Sequence, residues 1–256
     1  MSCSALRLVL SLAAFGLALP LTAQTPAPAA PAAPTQPAAA AHPTREEQMK
    51  LDWPNLTRFR QADAGLPAPA ATETRVVFMG DSITQNWKLD QTFPAKPYIN
   101  RGISGQTSPQ MVLRFHQDVV ALQPKVVLIL AGTNDIAENT GPITPAETLG
   151  NIAAMAEIAS SNGIRVVLCS VLPAYDFPWR KDLEPGPKVI ALNRLIKAYA
   201  EAHHYPYVDY YTAMKDDRGG LPETLSKDGV HPVPSAYRLM APLAQTGIDA
   251  ALKATK

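Results

Sequence analysis

Lys125-Val-Val-Leu-Ile-Leu-Ala131 is the stretch on which the fold turns. After the lysine, every residue is apolar and no polar side chain falls on alternate positions. A strand with one wet face would alternate. A continuous run of this length predicts a strand covered on both faces, as in parallel sheets packed between helices. Working outward, Arg75-Val-Val-Phe-Met79 and Ile164–Ser170 repeat the pattern, while Tyr98–Asn100 and Tyr207–Asp209 are weaker strands. Helical segments are predicted over 107–122, 145–161, 188–203 and 235–253. One of them opens Thr144-Pro145-Ala146-Glu147, a capping box with proline at the first helical position, and Asn162-Gly163 stops it. The alternation of strand and helix predicts an α/β fold: a three-layer α/β/α sandwich with a roughly five-stranded parallel sheet, in a single domain over 44–256. An N-terminal extension, 44–72, precedes the first strand. Leu51–Ala64 in it predicts a helix with Trp53, Leu56 and Phe59 on one side, ended by Pro67 and Pro69.

The chain has 256 residues, 46% of them hydrophobic and 18% charged, enough apolar material for a core. Its 23 basic and 22 acidic residues leave a net charge of +1, so no basic surplus points to nucleic acid or to an anionic membrane surface. Residues 1–23 read as a secretory signal peptide: Arg7 precedes the apolar run Leu8–Leu19, and Leu21-Thr22-Ala23 ends in a small residue. The run is too short for a membrane span of ~20 residues, although retention as an anchor stays open. Cys3 lies before the apolar run, whereas a lipoprotein signal needs a cysteine after it. Residues 24–43, almost wholly Ala, Pro and Thr, cannot bury a core and read as an extended linker. Export predicts a periplasmic or secreted protein with no stable membrane span after signal cleavage. Cys169 would then be the sole cysteine, buried and inert in an apolar strand, with no internal disulfide.

In sheets of this kind, sites form at the carboxyl ends of the strands. The polar motifs follow the strands accordingly. Gly80-Asp81-Ser82 places a serine at the start of a helix, where outward N–H groups favour negative charge. Asp81 or Ser82 acting only as a helix cap is the simpler alternative. In Asn100-Arg101-Gly102, the glycine allows a backbone N–H to approach a ligand. In Gly132-Thr133-Asn134-Asp135, the Asn134 amide can donate to an oxyanion or simply hold a turn. In Asp228-Gly229-Val230-His231, a turn can fold the carboxylate onto one ring nitrogen and leave the other facing outward. Ser104 is a rival nucleophile, but Gly-x-Ser-x-Gly fails there because residue 106 is Gln.

These four blocks, in this order, resemble the SGNH (GDSL) hydrolase family over about residues 74–250. The resemblance implies a flavodoxin-like SGNH hydrolase fold and a serine esterase acting through an acyl-enzyme. It implies Ser82 as nucleophile, His231 as base and later acid, and Asp228 as the residue that fixes the imidazole. It implies an oxyanion hole from the backbone N–H groups of Ser82 and Gly102 and the Asn134 side chain. Asp81 and Asp135 are expected to hold loops.

No cofactor and no metal are expected. His203-His204 are adjacent, His116 and His42 isolated, and no His-x-x-x-His or Cys-x-x-Cys spacing occurs. No Gly-Lys-Ser/Thr phosphate loop is present either. The expected partner is a small-molecule or carbohydrate ester. Tyr175, Phe177, Trp179 and Arg180, in the loop after the fourth strand, are candidates for substrate binding or for local packing. The resemblance leans to compact esterases of short-chain or acetyl esters, platelet-activating-factor acetylhydrolase-like members included. A lipase, lysophospholipase or thioesterase is the alternative within the family. A tethered, non-catalytic binding module is the alternative of another class. Oligomeric state is not legible in the sequence.

Overall fold

The structure is a computed structural model, and it describes residues 44–254. Five strands form one parallel sheet: β1 (Val76–Gly80), β2 (Tyr98–Gly102), β3 (Val126–Leu130), β4 (Arg165–Cys169) and β5 (Tyr207–Val208), in the order β2-β1-β3-β4-β5. The apolar run Val126–Leu130 is the central strand, β3, and every residue of it is buried. Val76 lies opposite Tyr98 on one side and Val126 on the other, so the three strands end level at Gly80, Gly102 and Leu130.

Ten α-helices are described: α1 (Arg45–Leu51), α2 (Arg60–Ala64), α3 (Ser82–Gln85), α4 (Leu89–Thr92), α5 (Ser108–Asp118), α6 (Thr133–Ile136), α7 (Pro145–Ser161), α8 (Pro185–Ala202), α9 (Tyr210–Met214) and α10 (Pro234–Lys253). Successive strand residues point to opposite faces. Val77, Met79, Val127 and Ile129 therefore join one core with Met111, Phe115, Ile152, Met155, Leu192 and Ile196 of α5, α7 and α8. Val76, Phe78, Val126 and Leu128 join the other with Trp87, Tyr237, Met240, Ala244 and Ile248, mostly of α10. The three expected layers are present. Cys169 is buried, and desolvation pushes its thiol up, away from reactivity.

Three expectations need correction. No single helix spans 51–64. The segment is a strap of two short helices, α1 and α2, joined by turns, because Asp52 folds back to accept from the backbone N–H groups of Leu56 and Thr57. The helix expected over 107–122 ends at Asp118 and passes into one 3-10 turn, Val120–Leu122. The short helix expected at Ser82 is present as α3, but three others, α4, α6 and α9, were not foreseen, since segments of four or five residues carry no readable 3.6-residue period. The signal peptide and the linker to residue 43 lie outside the described residues.

The chain leaves β1 to one side for β2 and then crosses back to β3. The β1/β3 pair is thus the switch point of the sheet, where a crevice opens outside the strand ends. Ser82 and Asn134 follow the two strands that end there, and Gly102 is the last residue of the neighbouring β2.

Candidate active site

Asp81 caps α3: its Oδ1 accepts from the Ile83 N–H at 2.9 Å, which sets the turn that carries Ser82. The far side of that turn is fixed by α10, where Tyr237 donates its hydroxyl to the Ile83 carbonyl at 2.7 Å. The second anchor comes from 149 residues away in the chain. Ser226 pairs with Pro232, closing the loop around Asp228 and His231. Within it, Asp228 Oδ1 accepts from the His231 N–H at 2.7 Å, from the Val230 N–H at 3.0 Å and from the Ser226 hydroxyl at 3.0 Å. Its Oδ2 lies 2.6 Å from His231 Nδ1.

His231 Nε2 lies 3.0 Å from Ser82 Oγ. Asp228 can only accept while ionised. Partial burial works to raise its pKa, but the His231 and Val230 N–H groups and the imidazole outweigh burial and hold it down to about 2. Nδ1 therefore carries the proton and Nε2 is left to take the one on Ser82 Oγ. This hydrogen-bond chain is the arrangement in which a general base can take the serine proton as the hydroxyl attacks.

The remaining expected donors converge on the same crevice. Gly132, at φ 125°, turns the chain out of β3 so that Asn134 lies buried in α6. The Asn134 amide donates to Asp81 Oδ2 at 3.1 Å and to the Gln106 carbonyl at 3.0 Å, and its oxygen accepts from Asn139 Nδ2 at 2.7 Å. The Gly102 N–H donates to Asn100 Oδ1 at 2.8 Å. Both groups already have acceptors within the protein, so an oxyanion would have to share or displace these bonds. Asp81 is fully buried, and desolvation raises its pKa to about 7 against the opposing Ile83 N–H. Asp135 anchors α5 instead: its carboxylate accepts from the Ser108 N–H and hydroxyl, and burial raises its pKa. Ser104, the rival serine, is exposed, and its N–H donates to Gln85 Oε1.

Residues 78–239 match the GDSL-like lipase/acylhydrolase family. The chain belongs to that family. It is accordingly a hydrolase of the GDSL type, and its five-stranded parallel sheet between helices is the fold of GDSL relatives of solved structure. One of these, a GDSL-like lipase from Bacteroides thetaiotaomicron, is 45% identical; the superposition covers 78% of this chain and all of that one, with a TM-score of 0.76. Two curated relatives match at lower identity. Esterase TesA of Pseudomonas aeruginosa is 27% identical over 186 residues, 67% of this chain and 85% of TesA. An uncharacterised lipoprotein of Bacillus subtilis, YqeF, is 26% identical over 164 residues, 57% of this chain and 59% of that protein's length.

Of the four aromatic and basic candidates in this GDSL chain, Trp179 is the one whose ring faces the Ser82–His231–Asp228 group. Its centroid is 6.1 Å from that of His231, and its indole N–H donates to Asn139 Oδ1 at 3.3 Å. Phe177 is corrected to a core residue: it is wholly buried and stacks beneath Trp179 at 5.2 Å. Arg180 is a tie between loops, donating to the Ala137 carbonyl and pairing with Glu138 and Asp182. Tyr175 is exposed and carries the Arg218 guanidinium over its ring at 5.3 Å. Among the described residues, no three His, Cys, Asp or Glu side chains converge to hold a metal.

The sequence reading missed Asn139, Gln106 and Arg114. One signal was available. Arg114 and Asp118 stand one turn apart on the face of α5 that also carries Met111 and Phe115, a charged pair on an apolar stripe.

Proposed function

We propose that the protein is a serine esterase hydrolysing short-chain, in particular acetyl, esters. Ser82 Oγ attacks the ester carbonyl while His231 Nε2 takes its proton. The tetrahedral oxyanion is met by the Ser82 and Gly102 N–H groups and by an Asn134 N–H shared with its present acceptor. Collapse of the intermediate breaks the carbonyl–alkoxy bond, and His231 protonates the departing alcohol. Water, deprotonated by the same nitrogen, then attacks the acyl-enzyme and releases the acid and Ser82. Asp228 stays ionised throughout and stabilises the imidazolium.

The observation that carries the reading is the unbroken Ser82–His231–Asp228 hydrogen-bond chain, at 3.0 and 2.6 Å. The family and the relative named as an esterase support the reaction class. The preference for small acyl groups rests on the sequence resemblance and on Trp179, whose ring, backed by Phe177 and tethered to Asn139, forms a fixed wall beside the base. An exposed indole beside the triad also suits the C–H face of a sugar, so acetylated carbohydrate is the favoured alcohol part. Export through residues 1–23, with the Ala/Pro-rich segment as a spacer, would place the enzyme where such polymers lie. Among the described residues no helix is long and apolar enough to cross a membrane.

The test is hydrolysis of p-nitrophenyl esters from acetate to long-chain acyl groups, beside Ser82→Ala. Fastest cleavage of acetate with an inactive variant is the expected result. A long-chain optimum would move the assignment to a lipase or lysophospholipase. Ligand binding without turnover would make the chain a binding module. Trp179→Ala should shift selectivity between esters; lowered stability with unchanged selectivity would reduce Trp179 to packing.

A further inference from the structure

Gln106 occupies an unusual place, just beyond the Gly102 loop and at the foot of α5. It is almost wholly buried, yet all of its polar groups except the N–H, which makes a backbone turn to Ile103, bond to other elements of the fold. Its backbone carbonyl accepts from the Asn134 amide at 3.0 Å. Its side-chain oxygen accepts from Arg114 Nε at 2.5 Å. Its side-chain nitrogen donates to the Pro54 carbonyl at 2.7 Å, in the strap that precedes the segment matched by the family. Arg114, also fully buried, turns its other two nitrogens to Asp118 at 2.8 Å and to the Gly80 carbonyl at 3.0 Å, two residues before the nucleophile.

A carbonyl that fixes one N–H of Asn134 sets the plane of the whole amide and hence the direction of its second N–H. That second N–H lies on Asp81 Oδ2 at 3.1 Å, and it is the one an oxyanion can share. The carbonyl can do this only if residue 106 is itself held. It is held from two sides, by Arg114 and by the strap. The strap is in turn pinned by two neighbouring glutamines of α5: Gln110 donates to the Trp53 carbonyl at 2.7 Å and Gln117 to the Leu56 carbonyl at 2.6 Å. Gln110, Gln106 and Gln117 thus hold the carbonyls of residues 53, 54 and 56, and of the three only Gln106 also bonds Asn134.

We infer that Gln106 is a positioning residue for the oxyanion hole, coupling the Asn134 amide to the N-terminal strap at Pro54 and to Gly80 through Arg114. The inference rests on the proposed esterase chemistry and on Asn134 as a donor in it. The strap, on this view, belongs to the catalytic apparatus although it lies outside the family segment.

The test is a double-mutant cycle read by two rates. One is the labelling of Ser82 by a fluorophosphonate, which needs the nucleophile and the oxyanion hole whatever ester the enzyme prefers. The other is kcat and KM on p-nitrophenyl acetate. Gln106→Met should slow labelling and kcat by about 10–100-fold, less than outright loss of a donor, with KM within about threefold of wild type. In an Asn134→Ala background the same substitution should change labelling by less than about twofold, because the group it positions is gone. Gln106→Glu serves if the methionine variant does not fold. It keeps an acceptor for Arg114 and loses only the bond to Pro54, and it should slow labelling in the same direction. Labelling at the wild-type rate in both variants, or an equal loss with and without Asn134, would overturn the inference and leave Gln106 a structural residue. Wild-type protein that does not label at Ser82 would instead overturn the nucleophile assignment itself.

Discussion

Two carboxylates serve the Ser82 site, Asp81 buried beside it and Asp228 exposed behind His231, and their environments push them in opposite directions. Asp228 is held down to about 2 by hydrogen bonds from His231 and Val230. Asp81 is pushed up to about 7 by burial. The first can orient an imidazole and balance its charge over the whole working range of pH. Replacing Asp228 with Asn should leave the ring in place but favour the wrong tautomer, lowering kcat by about 10⁴ with a small effect on folding. Steady-state kinetics beside a melting curve checks this. Because Asp228 stays ionised to about pH 2, its own protonation should leave no step in the rate profile above that pH. Asp81 enters through stability. Its folded-state pKa lies above the unfolded value, so the native state holds this proton more tightly than the unfolded chain. Its contribution is greatest below the unfolded pKa, near 4, falls as pH rises to about 7, and is constant beyond. Asp81→Asn should remove that fall, so the stability difference from wild type should change across the same window and level off above it. Denaturant melts at several pH values measure it. Asp228 has the opposite sign: its stabilisation is present above about 4 and lost as pH falls towards 2.

At the scale of elements, the site exists because β1, β2 and β3 end level and short helices start at once. The closest fit is between the end of β2 and α3. A Cβ on Gly102 would stand 2.1 Å from the Gln85 nitrogen and 2.7 Å from the Asp81 carbonyl oxygen, both backbone atoms that cannot swing aside. Gly102→Ala should therefore force β2 and α3 apart, destabilising by about 1–3 kcal/mol through overpacking and displacing both the Gly102 N–H and the nucleophile turn. A lowered Tm together with a loss of kcat is expected; wild-type turnover at wild-type stability would contradict the packing. The helix opened by Thr144 behaves differently. Its capping box is complete, with the Thr144 hydroxyl accepting from the Glu147 N–H and Glu147 reaching back to the Thr144 N–H. Thr144→Ala should cost about 1 kcal/mol of stability and leave turnover unchanged, since α7 faces the core and not the crevice.

At the scale of the molecule, the strap of residues 44–66 is tied down at two places. At its middle the glutamines of α5 hold its carbonyls; near its end Asp63 pairs with the buried Arg101 of β2, whose guanidinium also lies 4.6 Å from the centre of the Phe59 ring. Removing the carboxylate leaves Arg101 with its bond to the Asn100 carbonyl and no counter-charge. Asp63→Ala should cost about 1.5–3 kcal/mol, more than a surface pair would. Because Arg101 precedes Gly102, part of the loss should appear as faster proteolysis of the strap in the native protein. An unchanged Tm and unchanged cleavage would show the strap to be held by its apolar contacts alone.

What the sequence determined by itself was whatever is encoded locally. The continuous apolar runs at 75–79, 125–131 and 164–170 require burial on both faces, which commits the chain to a parallel sheet between helices. Two of the four polar blocks follow those runs directly, and it is the resemblance of all four, in order, to a known hydrolase family that singles out Ser82, Gly102, Asn134, Asp228 and His231 as candidates. What only the tertiary structure decided were contacts between residues remote in the chain, which carry no periodicity or spacing. Phe177 and Trp179 have the same composition signal, yet one is core and the other faces His231, because the loop packs its rings in a stack. Arg180 reads equally as a substrate contact or as local packing, and the fold spends it on Glu138 and Asp182. Gln106 looks like any surface glutamine until the fold brings Pro54, Arg114 and Asn134 within hydrogen-bond distance of its two ends. A buried polar group must find partners, and which partners it finds is set by packing, not by its neighbours in sequence.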